Sequence, residues 1–226
     1  MQTMSARKNR INIQTMVVWA LFCALAYVSV VLIRIPVVQF LKYEPKDVIL
    51  MIGAFMYGPL AGCVMSVVVS LIEMVTVSDT GWIGAIMNIL ASCAFVCPAA
   101  AIYWHRRTLK GAVTGLVVGS TCMVVIMLLW NALITPLYMG MPRAAVIDML
   151  PTVFLPFNLL KTVINSALVM LLYKHVVTAL RAAHLLPQAE QKDVGSPVHT
   201  TVVLSLISLL VLATAILIIL AMQGII

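Results

Sequence analysis

The sequence predicts an all-α integral membrane protein, in which a six-helix bundle is followed by one additional C-terminal transmembrane helix. Of its 226 residues, 63% are hydrophobic and only 9% are charged, and the mean hydropathy is +1.13. In a soluble domain about a quarter of the residues would be charged. The apolar segments are long and continuous, which is typical of membrane-spanning helices and not of alternating barrel strands. These observations exclude an ordinary soluble fold.

The first half of the chain predicts an unusually short second helix. Helix 1, at residues 13–33, follows the basic segment SARKNR and has no cleavage site after it, so it is expected to remain as a membrane span. After a loop at 34–47, the next apolar run is interrupted by Gly58 and Pro59. Its first part, 48–56, would rise only about 13 Å as a helix. Because that is too little to cross a bilayer, helix 2 is expected to be short or tilted.

The remaining apolar runs complete the bundle and add one helix beyond it. Helices 3 to 6 and the last helix are predicted at 59–77, 81–104, 111–138, 150–180 and 201–222. The chain accordingly divides into a six-helix membrane domain at 1–180, a polar cytoplasmic linker at 181–199 and an extra transmembrane segment at 200–226.

The positions of the lysines and arginines predict how the helices are oriented. With the N-terminus in the cytoplasm, nine of these residues fall on the inner side and four on the outer side, as the positive-inside rule requires. The inner set is Arg7, Lys8, Arg10, Arg106, Arg107, Lys110, Lys174, Arg181 and Lys192, and the outer set is Arg34, Lys42, Lys46 and Arg143. The same rule accounts for the formal net charge of +7, so no nucleic-acid partner is expected.

Several helices are expected to place one polar side chain each in the outer half of the membrane. Asn88 and Asn131 lie seven residues from the outer ends of helices 4 and 5, and Asn158 lies eight residues from the outer end of helix 6. Lys161 follows one turn deeper, and at about 1.5 Å per residue all four lie about 10–16 Å below the outer surface. A lone intramembrane asparagine is more often a contact between helices than a ligand contact, so both interpretations stay open for the amides.

Lys161 demands a more specific explanation, because it lies in the apolar stretch FLPFNLLKTVINSALVML at 154–171. A charged side chain at that depth costs a few kcal/mol and cannot easily reach the interface. It therefore needs a counter-charge, a wet cavity or a ligand, and a cavity is the favoured interpretation. Pro156 would kink helix 6 and free backbone carbonyls nearby. Glu73, in the outer last turn of helix 3, is interpreted either as a residue of the lipid interface or as the partner of Lys161.

Other intramembrane residues are interpreted as packing features. Small residues recur at every fourth position of helices 2 and 3, namely at Ala54, Gly58, Gly62, Ser66 and Ser70. The five cysteines lie in apolar segments as small packing residues, so neither a metal site nor a disulfide is expected. The tryptophans fall near the membrane interfaces, where anchoring is their default role, but Trp82 and Trp130 could stack on a planar ligand.

Motifs for catalysis and energy conversion are missing from the sequence. It has no G-x-x-x-x-G-K-[ST], so it does not hydrolyse ATP through a P-loop, and it has no H-E-x-x-H of a membrane protease. Charged relays through the inner half are also missing, which disfavours a self-contained proton-coupled transporter. The sequence therefore predicts a binding protein, not an enzyme, that faces outward and is driven by a partner.

Four stretches resemble the substrate-capture (S) components of energy-coupling-factor (ECF) vitamin transporters, and among them the riboflavin-binding members. They are KYEPKDVILMIGAFMYGPLAGCVMSVVVSLIEM (42–74), IGAIMNILASCAFVCPAAAIY (83–103), KGAVTGLVVGSTCMVVIMLLWNALITPLY (110–138) and LPFNLLKTVINSALVMLLYK (155–174). The Y-x-P-x-D loop, the F-x-Y-G-P-L-A-G turn and the P-F-N-x-x-K motif are fairly specific in combination. Together the stretches cover most of residues 14–180.

The resemblance implies a six-helix fold that holds one riboflavin as transported ligand in an outward-facing pocket, with no cofactor. In the family this pocket is lined by the loop after helix 1 and by helices 4, 5 and 6. The positions carried over as substrate-binding residues are Lys161, Asn131, Asn158, Asn88, Tyr43 and Glu44. An amide can both donate and accept at the polar edge of the flavin ring, whereas lysine can only donate.

The resemblance also implies partners and a location. Ala20 and Ala24 match the small face of helix 1 that docks onto the transmembrane coupling (T) subunit, and two cytoplasmic ATPases would supply the energy. The protein would lie in the cell membrane of a prokaryote, with its N-terminus in the cytoplasm. The helix at 201–222 departs from the usual six. Another flavin or small vitamin, and a membrane assembly protein whose polar residues only join helices, remain as alternatives.

Overall fold

The computed structural model describes residues 13–38, 41–78, 80–182 and 198–222 of the chain. The predicted basic N-terminal segment and nearly all of the predicted linker at 181–199 lie outside these ranges. The elements in chain order are α1 (Ile13–Leu32), β1 (Ile35–Val38), β2 (Leu41–Tyr43), α2 (Lys46–Tyr57), α3 (Pro59–Thr76), α4 (Gly81–Arg106), α5 (Leu109–Leu133), α6 (Thr135–Met139), α7 (Arg143–Met149), a π-helical turn (Leu150–Phe154), α8 (Leu155–Ala182) and α9 (Val198–Met222).

The described part of the chain confirms the all-α membrane fold. Five of its segments are long and apolar enough to cross a membrane, namely Ile13–Leu32, Pro59–Thr76, Gly81–Arg106, Leu109–Leu133 and Arg143–Tyr173. Helix α2 has 12 residues, a rise of about 18 Å, and is therefore as short as the sequence predicts. Helix α9 adds a further apolar segment, Ser205–Ala221.

The predicted loop at 34–47 contains a β-hairpin that the sequence analysis did not foresee. Strands β1 and β2 pair antiparallel, with Ile35 opposite Tyr43 and Pro36 opposite Lys42. Four and three residues are too few to give a visible alternation of apolar and polar side chains. The hairpin leads through Pro45 directly into α2, which begins two residues earlier than predicted.

The predicted helix 5 and the connection after it are wrong in detail. Helix α5 ends at Leu133 instead of residue 138, and the short α6 follows with Pro136 in its first turn. Proline has no N–H and its ring clashes with the carbonyl four residues earlier, which kinks or breaks a helix; α5 ends before Pro136, whereas α4 runs through Pro98. The connection predicted at 139–151 is mostly helical, because α7 runs through the π-helical turn into α8. The irregularity of helix 6 thus lies one turn before Pro156.

Small residues allow α4 to pack closely against its neighbours. A Cβ atom at Gly115 of α5 would lie 2.6 Å from the backbone oxygen of Ala99 on α4, and one at Gly62 of α3 would lie 2.6 Å from Cγ1 of Val96 on α4. All members of the small-residue series at 54, 58, 62, 66 and 70 are buried. Gly58 has φ 95°, which suits the turn between α2 and α3.

Candidate functional site

Buried charges gather at one end of the bundle, at the start of α2, the end of α3 and the start of α8. Lys46 and Asp47 occupy the first turn of α2, where they are 1% and 0% exposed, and Glu73 at the end of α3 is 3% exposed. Charges this well buried persist in proteins only when they are paired. We refer to Arg34, Glu44, Lys46, Asp47, Glu73 and Lys161 as the charge network.

Lys161 is neutralised by Asp47. Its Nζ lies 3.2 Å from Oδ2 of Asp47, and Oδ1 of the same carboxylate accepts a hydrogen bond of 2.5 Å from the Ser92 hydroxyl on α4. Asp47 also stands at the N-terminus of α2, where the helix dipole favours a negative charge. One carboxylate therefore joins α2, α4 and α8. The sequence analysis missed this role, although Asp47 is the last residue of the Y-x-P-x-D motif.

Glu73 is not the partner of Lys161, and it does not lie at the lipid interface; both sequence-based interpretations are wrong. Its Oε2 forms an ion pair with Nζ of Lys46 and accepts a 3.0 Å hydrogen bond from the Asn88 side chain on α4. Glu73 lies in the last turn of α3 as predicted, but α2, which packs against both α3 and α8, brings charges of its own. Asn88 is therefore hydrogen-bonded to the charge network through Glu73.

The β-hairpin contributes to the charge network at the end of the bundle. Glu44, directly after β2, lies 2.8 Å from Nε of Arg34 and 3.7 Å from Nζ of Lys46. Arg34 also donates a 3.2 Å hydrogen bond to the backbone oxygen of Val77 at the end of α3. The predicted site residue Glu44 thus connects the hairpin to the ends of α1, α2 and α3.

Tyr43 connects the hairpin to α8 through a residue that the sequence analysis did not select. Its hydroxyl donates a 2.9 Å hydrogen bond to Oδ1 of Asn165, which is 0% exposed and lies one turn after Lys161 on the same helix. Burial, and secondarily the charge of Asp47, raise the pKa of the Tyr43 hydroxyl, so it stays a donor at neutral pH. The i, i+4 spacing from Lys161 is the signal that could have found Asn165.

Asn131 and Asn158 are buried, but their hydrogen bonds run within their own helical segments. The Asn131 amide donates a 2.7 Å hydrogen bond to the backbone oxygen of Met127 and accepts one of 2.9 Å from the Thr135 hydroxyl, across the point where α5 ends. The Asn158 amide donates a 2.7 Å hydrogen bond to the backbone oxygen of Phe154, the last residue of the π-helical turn. Since α5 packs against both that turn and α8, the two amides belong to adjoining elements. Each lies where a helix is irregular and its backbone groups need partners.

Three buried polar atoms at the site have no hydrogen-bond partner among the described residues. One is Oδ2 of Asp47, which is ion-paired with Lys161. The other two are Nδ2 of Asn165, a donor, and Oε1 of Glu73, an acceptor. Leaving a buried polar group unpaired costs about 1–3 kcal/mol. A donor beside Lys161 and an acceptor beside Lys46 are therefore both available to a polar molecule, which makes this end of the bundle a candidate binding site.

Ala20 and Ala24 lie elsewhere, on a separate apolar groove between α1 and α3. The groove has a volume of about 480 Å³ and is lined by Trp19, Ala20, Cys23, Ala24, Tyr27, Val64, Met65, Val68 and Ile72. Both alanines are exposed, so their small side chains leave the backbone of α1 open to a close approach.

Three of the cysteines lie closer together than the sequence alone suggests. The sulfur atoms of Cys63 on α3 and of Cys93 and Cys97 on α4 lie within 4.8 Å of one another, and those of Cys63 and Cys93 are 3.9 Å apart. Within the described ranges these thiols are the group with the spacing of metal ligands. All three are half-buried. Cys93 and Cys97 lie five and nine residues further along α4 than Asn88, away from the charge network. That the cysteines serve only packing remains a prediction.

Comparison with known proteins decides the family. Residues 14–173 match the family model described as "ECF transporter, substrate-specific component". The chain belongs to this family. The predictions of an S component and of a transport protein that is not an enzyme are thereby confirmed, and an assembly protein is set aside. The match ends at residue 173, before α9 begins at Val198.

Named relatives agree with this family. The chain is 28% identical to the riboflavin transporter RibU of Staphylococcus aureus (strain TCH60) over 149 residues, which cover 63% of this chain and 78% of the relative. It is 24% identical to the riboflavin transporter FmnP of Bacillus subtilis (strain 168) over 189 residues, which cover 77% and 99%. A solved structure of the S component of a bacterial ECF transporter matches with a TM-score of 0.62 and 26% identity, over 74% of this chain and 96% of that one.

Proposed function

We propose that this S component captures riboflavin from the outer side of a prokaryotic cell membrane, at the end of the bundle that holds the charge network. The observation that supports this most directly is Lys161, a lysine inside a membrane-spanning helix, held 3.2 Å from a fully buried aspartate. Charged side chains inside a transmembrane bundle are energetically costly, and where they occur they typically belong to a functional site. The two relatives, both named riboflavin transporters, supply the ligand.

Riboflavin suits the chemistry of these side chains. The flavin ring is planar and largely apolar, and one edge carries carbonyls, ring nitrogens and an N–H. Lys161 offers donors to the acceptors of that edge while Asp47 keeps its charge compensated. The amides of Asn131 and Asn158 can donate and accept, once they give up backbone bonds within their own helices. Tyr43, Glu44 and Asn88 hold Asn165, Arg34 and Glu73 in place. In this proposal they are the residues that meet the ribityl hydroxyls.

Fluorescence titration tests the ligand and the site together. We expect purified protein to quench riboflavin fluorescence with a stoichiometry of one to one. Lys161→Ala and Asn131→Ala should each weaken binding by about tenfold or more, because losing a buried hydrogen bond costs about 1–3 kcal/mol. Lys110→Ala, at an exposed lysine near the start of α5, is the matched control and should bind as the wild type does.

Two results would refute parts of this proposal separately. No quenching of riboflavin, with binding of FMN or another vitamin instead, would keep the S component and change its ligand. Tight riboflavin binding that both alanine variants leave within about threefold would keep the ligand and move the site.

For transport, we infer that the exposed Ala20 and Ala24 face docks onto a T subunit, which two cytoplasmic ATPases drive, with the N-terminus of the S component inside the cell. The apolar groove beside the two alanines is suited to an apolar helix, because small residues let backbones approach closely. Ala24→Leu should abolish riboflavin uptake by cells and leave binding by the purified protein intact, whereas Ala24→Gly should preserve both. Uptake that survives Ala20→Leu combined with Ala24→Leu would contradict the docking face.

A further inference from the structure

Helix α9 packs against the part of the molecule that carries the proposed site, although it lies beyond the residues that match the family. It packs along α8, and its Ser208, Ala215 and Ile219 are buried, whereas neighbouring residues such as Ile218 are about half exposed. A helix that served only as a membrane anchor would have no need of a buried face. Its position therefore calls for a role within the fold.

The buried end of α9 contacts the hairpin as well as α8. Val37 of β1 and Tyr43 of β2 form one apolar cluster with Phe157, Leu160 and Ile164 of α8 and with Ala215 and Ile219 of α9. We call this set the hairpin cluster. The side chain of Tyr43 is thus fixed twice, by Asn165 at its hydroxyl and by the hairpin cluster around its ring.

The hairpin depends on these contacts for its position. A two-stranded hairpin is at best marginally stable by itself, and these strands have four and three residues. Apolar burial gives little driving force between elements within lipid, so close van der Waals packing has to hold them together. Ala215 and Ile219, at 2% and 8% exposure, supply such packing within the hairpin cluster.

The hairpin borders the approach to Lys161, because Tyr43 bonds Asn165, one turn after Lys161, and Glu44 pairs with Arg34 and Lys46. The side chain of Lys161 is only 11% exposed and that of Asp47 is not exposed at all. The hairpin continues through Glu44 and Pro45 into the turn that carries Asp47, so displacing it opens the site from outside. Of the segments around the site, it is also the one with the least regular structure of its own.

We propose that α9 holds the hairpin against α8 and thereby slows the release of bound ligand, with Ala215 and Ile219 as positioning residues. This inference rests on the proposed capture of riboflavin by the same site. The residues of α9 do not touch the ligand. They set how often the hairpin moves away, so they act on the dissociation rate more than on the chemistry of recognition.

The test uses the full-length protein in lipid nanodiscs, with riboflavin as the probe and stopped-flow fluorescence to measure its dissociation. Ile219→Ala removes packing from the hairpin cluster, and Ala215→Leu forces extra volume into it. Both should raise the dissociation rate by about three- to tenfold, because loosened packing lets the hairpin open more often. Ile218→Ala, one residue away on the half-exposed side of α9, is the matched control and should leave the rate unchanged.

Hydrogen exchange of the backbone at 35–43 separates positioning from general destabilisation. In Ile219→Ala these amides should exchange faster in the absence of ligand, while those of α4 and α5 exchange as in the wild type. If Ile219→Ala does not yield folded protein, Ile219→Val removes a single carbon and should produce a smaller change in the same direction.

Two outcomes would overturn this role for α9. The first is an unchanged dissociation rate in Ile219→Ala and Ala215→Leu when the wild type binds riboflavin. The second is an increase that the Ile218→Ala control shares. A wild type that does not bind riboflavin at all would instead refute the proposed function.

Discussion

The ion pair between Lys161 and Asp47 yields a quantitative prediction about folding. The two charges are 3.2 Å apart and the carboxylate is fully buried. Coulomb's law gives an attraction of about 5 kcal/mol at that distance, with an effective dielectric constant of about 20. Asp47→Asn removes this attraction and leaves a positive charge without its nearest partner. Removing one member of a buried pair costs about 3–5 kcal/mol.

The lower end of that range applies here, because an amide oxygen at this position can still accept the hydrogen bond from Ser92. A loss of about 3 kcal/mol lowers the melting temperature by roughly 6–12 °C in a chain of this length. Lys161→Met should cost a similar amount, since it leaves the carboxylate unpaired. The double variant restores electrical neutrality with groups of similar volume and should recover at least half of the loss.

Thermal unfolding in detergent, followed by circular dichroism or tryptophan fluorescence, measures all three variants. Asp148→Asn is the control, because Asp148 is an exposed carboxylate in α7. If the double variant loses as much as the two single variants together, the residues are not coupled and the pairing is refuted. The same holds if Asp47→Asn unfolds at the temperature of the control.

Two further predictions concern the hairpin and the helix packing. Tyr43→Phe removes the donor to Asn165 and should weaken riboflavin binding by about five- to twentyfold. Because folding raises the pKa of Tyr43, the stability of the wild type should stay constant up to the ordinary tyrosine pKa of about 10 and fall at higher pH. Equilibrium unfolding at several pH values should find a smaller fall in the variant. Gly115→Ala places a Cβ atom 2.6 Å from the backbone oxygen of Ala99 and should lower the free energy of unfolding by about 1–3 kcal/mol. Val117→Ala, on the exposed side of α5, is the control and should not lower it. Equal melting temperatures for the two variants would refute the close approach of α4 and α5.

The depth of the intramembrane polar residues was accessible from the sequence, but their partners were not. Helical rise is regular, so counting residues predicted one level for Asn88, Asn131, Asn158 and Lys161 and assigned Glu73 to the last turn of helix 3. Which of them meet depends on how the helices rotate about their axes and on what enters between them. Helix α2 enters there with Lys46 and Asp47, and these residues take the partners that the sequence analysis assigned to one another.

Local backbone irregularities were also beyond the reach of the sequence. The hairpin at 35–43 is too short for a period-two pattern, and the π-helical turn at 150–154 has the same apolar composition as the helix around it. Asn165 went unselected because, in isolation, an asparagine in an apolar helix reads as a packing residue. Its role follows from Tyr43, which lies 122 positions away in the chain and whose hydroxyl is 2.9 Å from Oδ1 of Asn165.

By itself, the sequence determined that the protein is a helical membrane protein of the S-component family, with a costly lysine inside its sixth predicted span. These properties follow from hydropathy, helical rise and motifs, all of which are local in the chain. Only the tertiary structure decided that Asp47 neutralises this lysine, that the hairpin bonds Asn165 one turn away, and that α9 packs against both the hairpin and α8. Those relations join residues distant in sequence through buried charge and close packing, and neither has a signature in any single stretch of the chain.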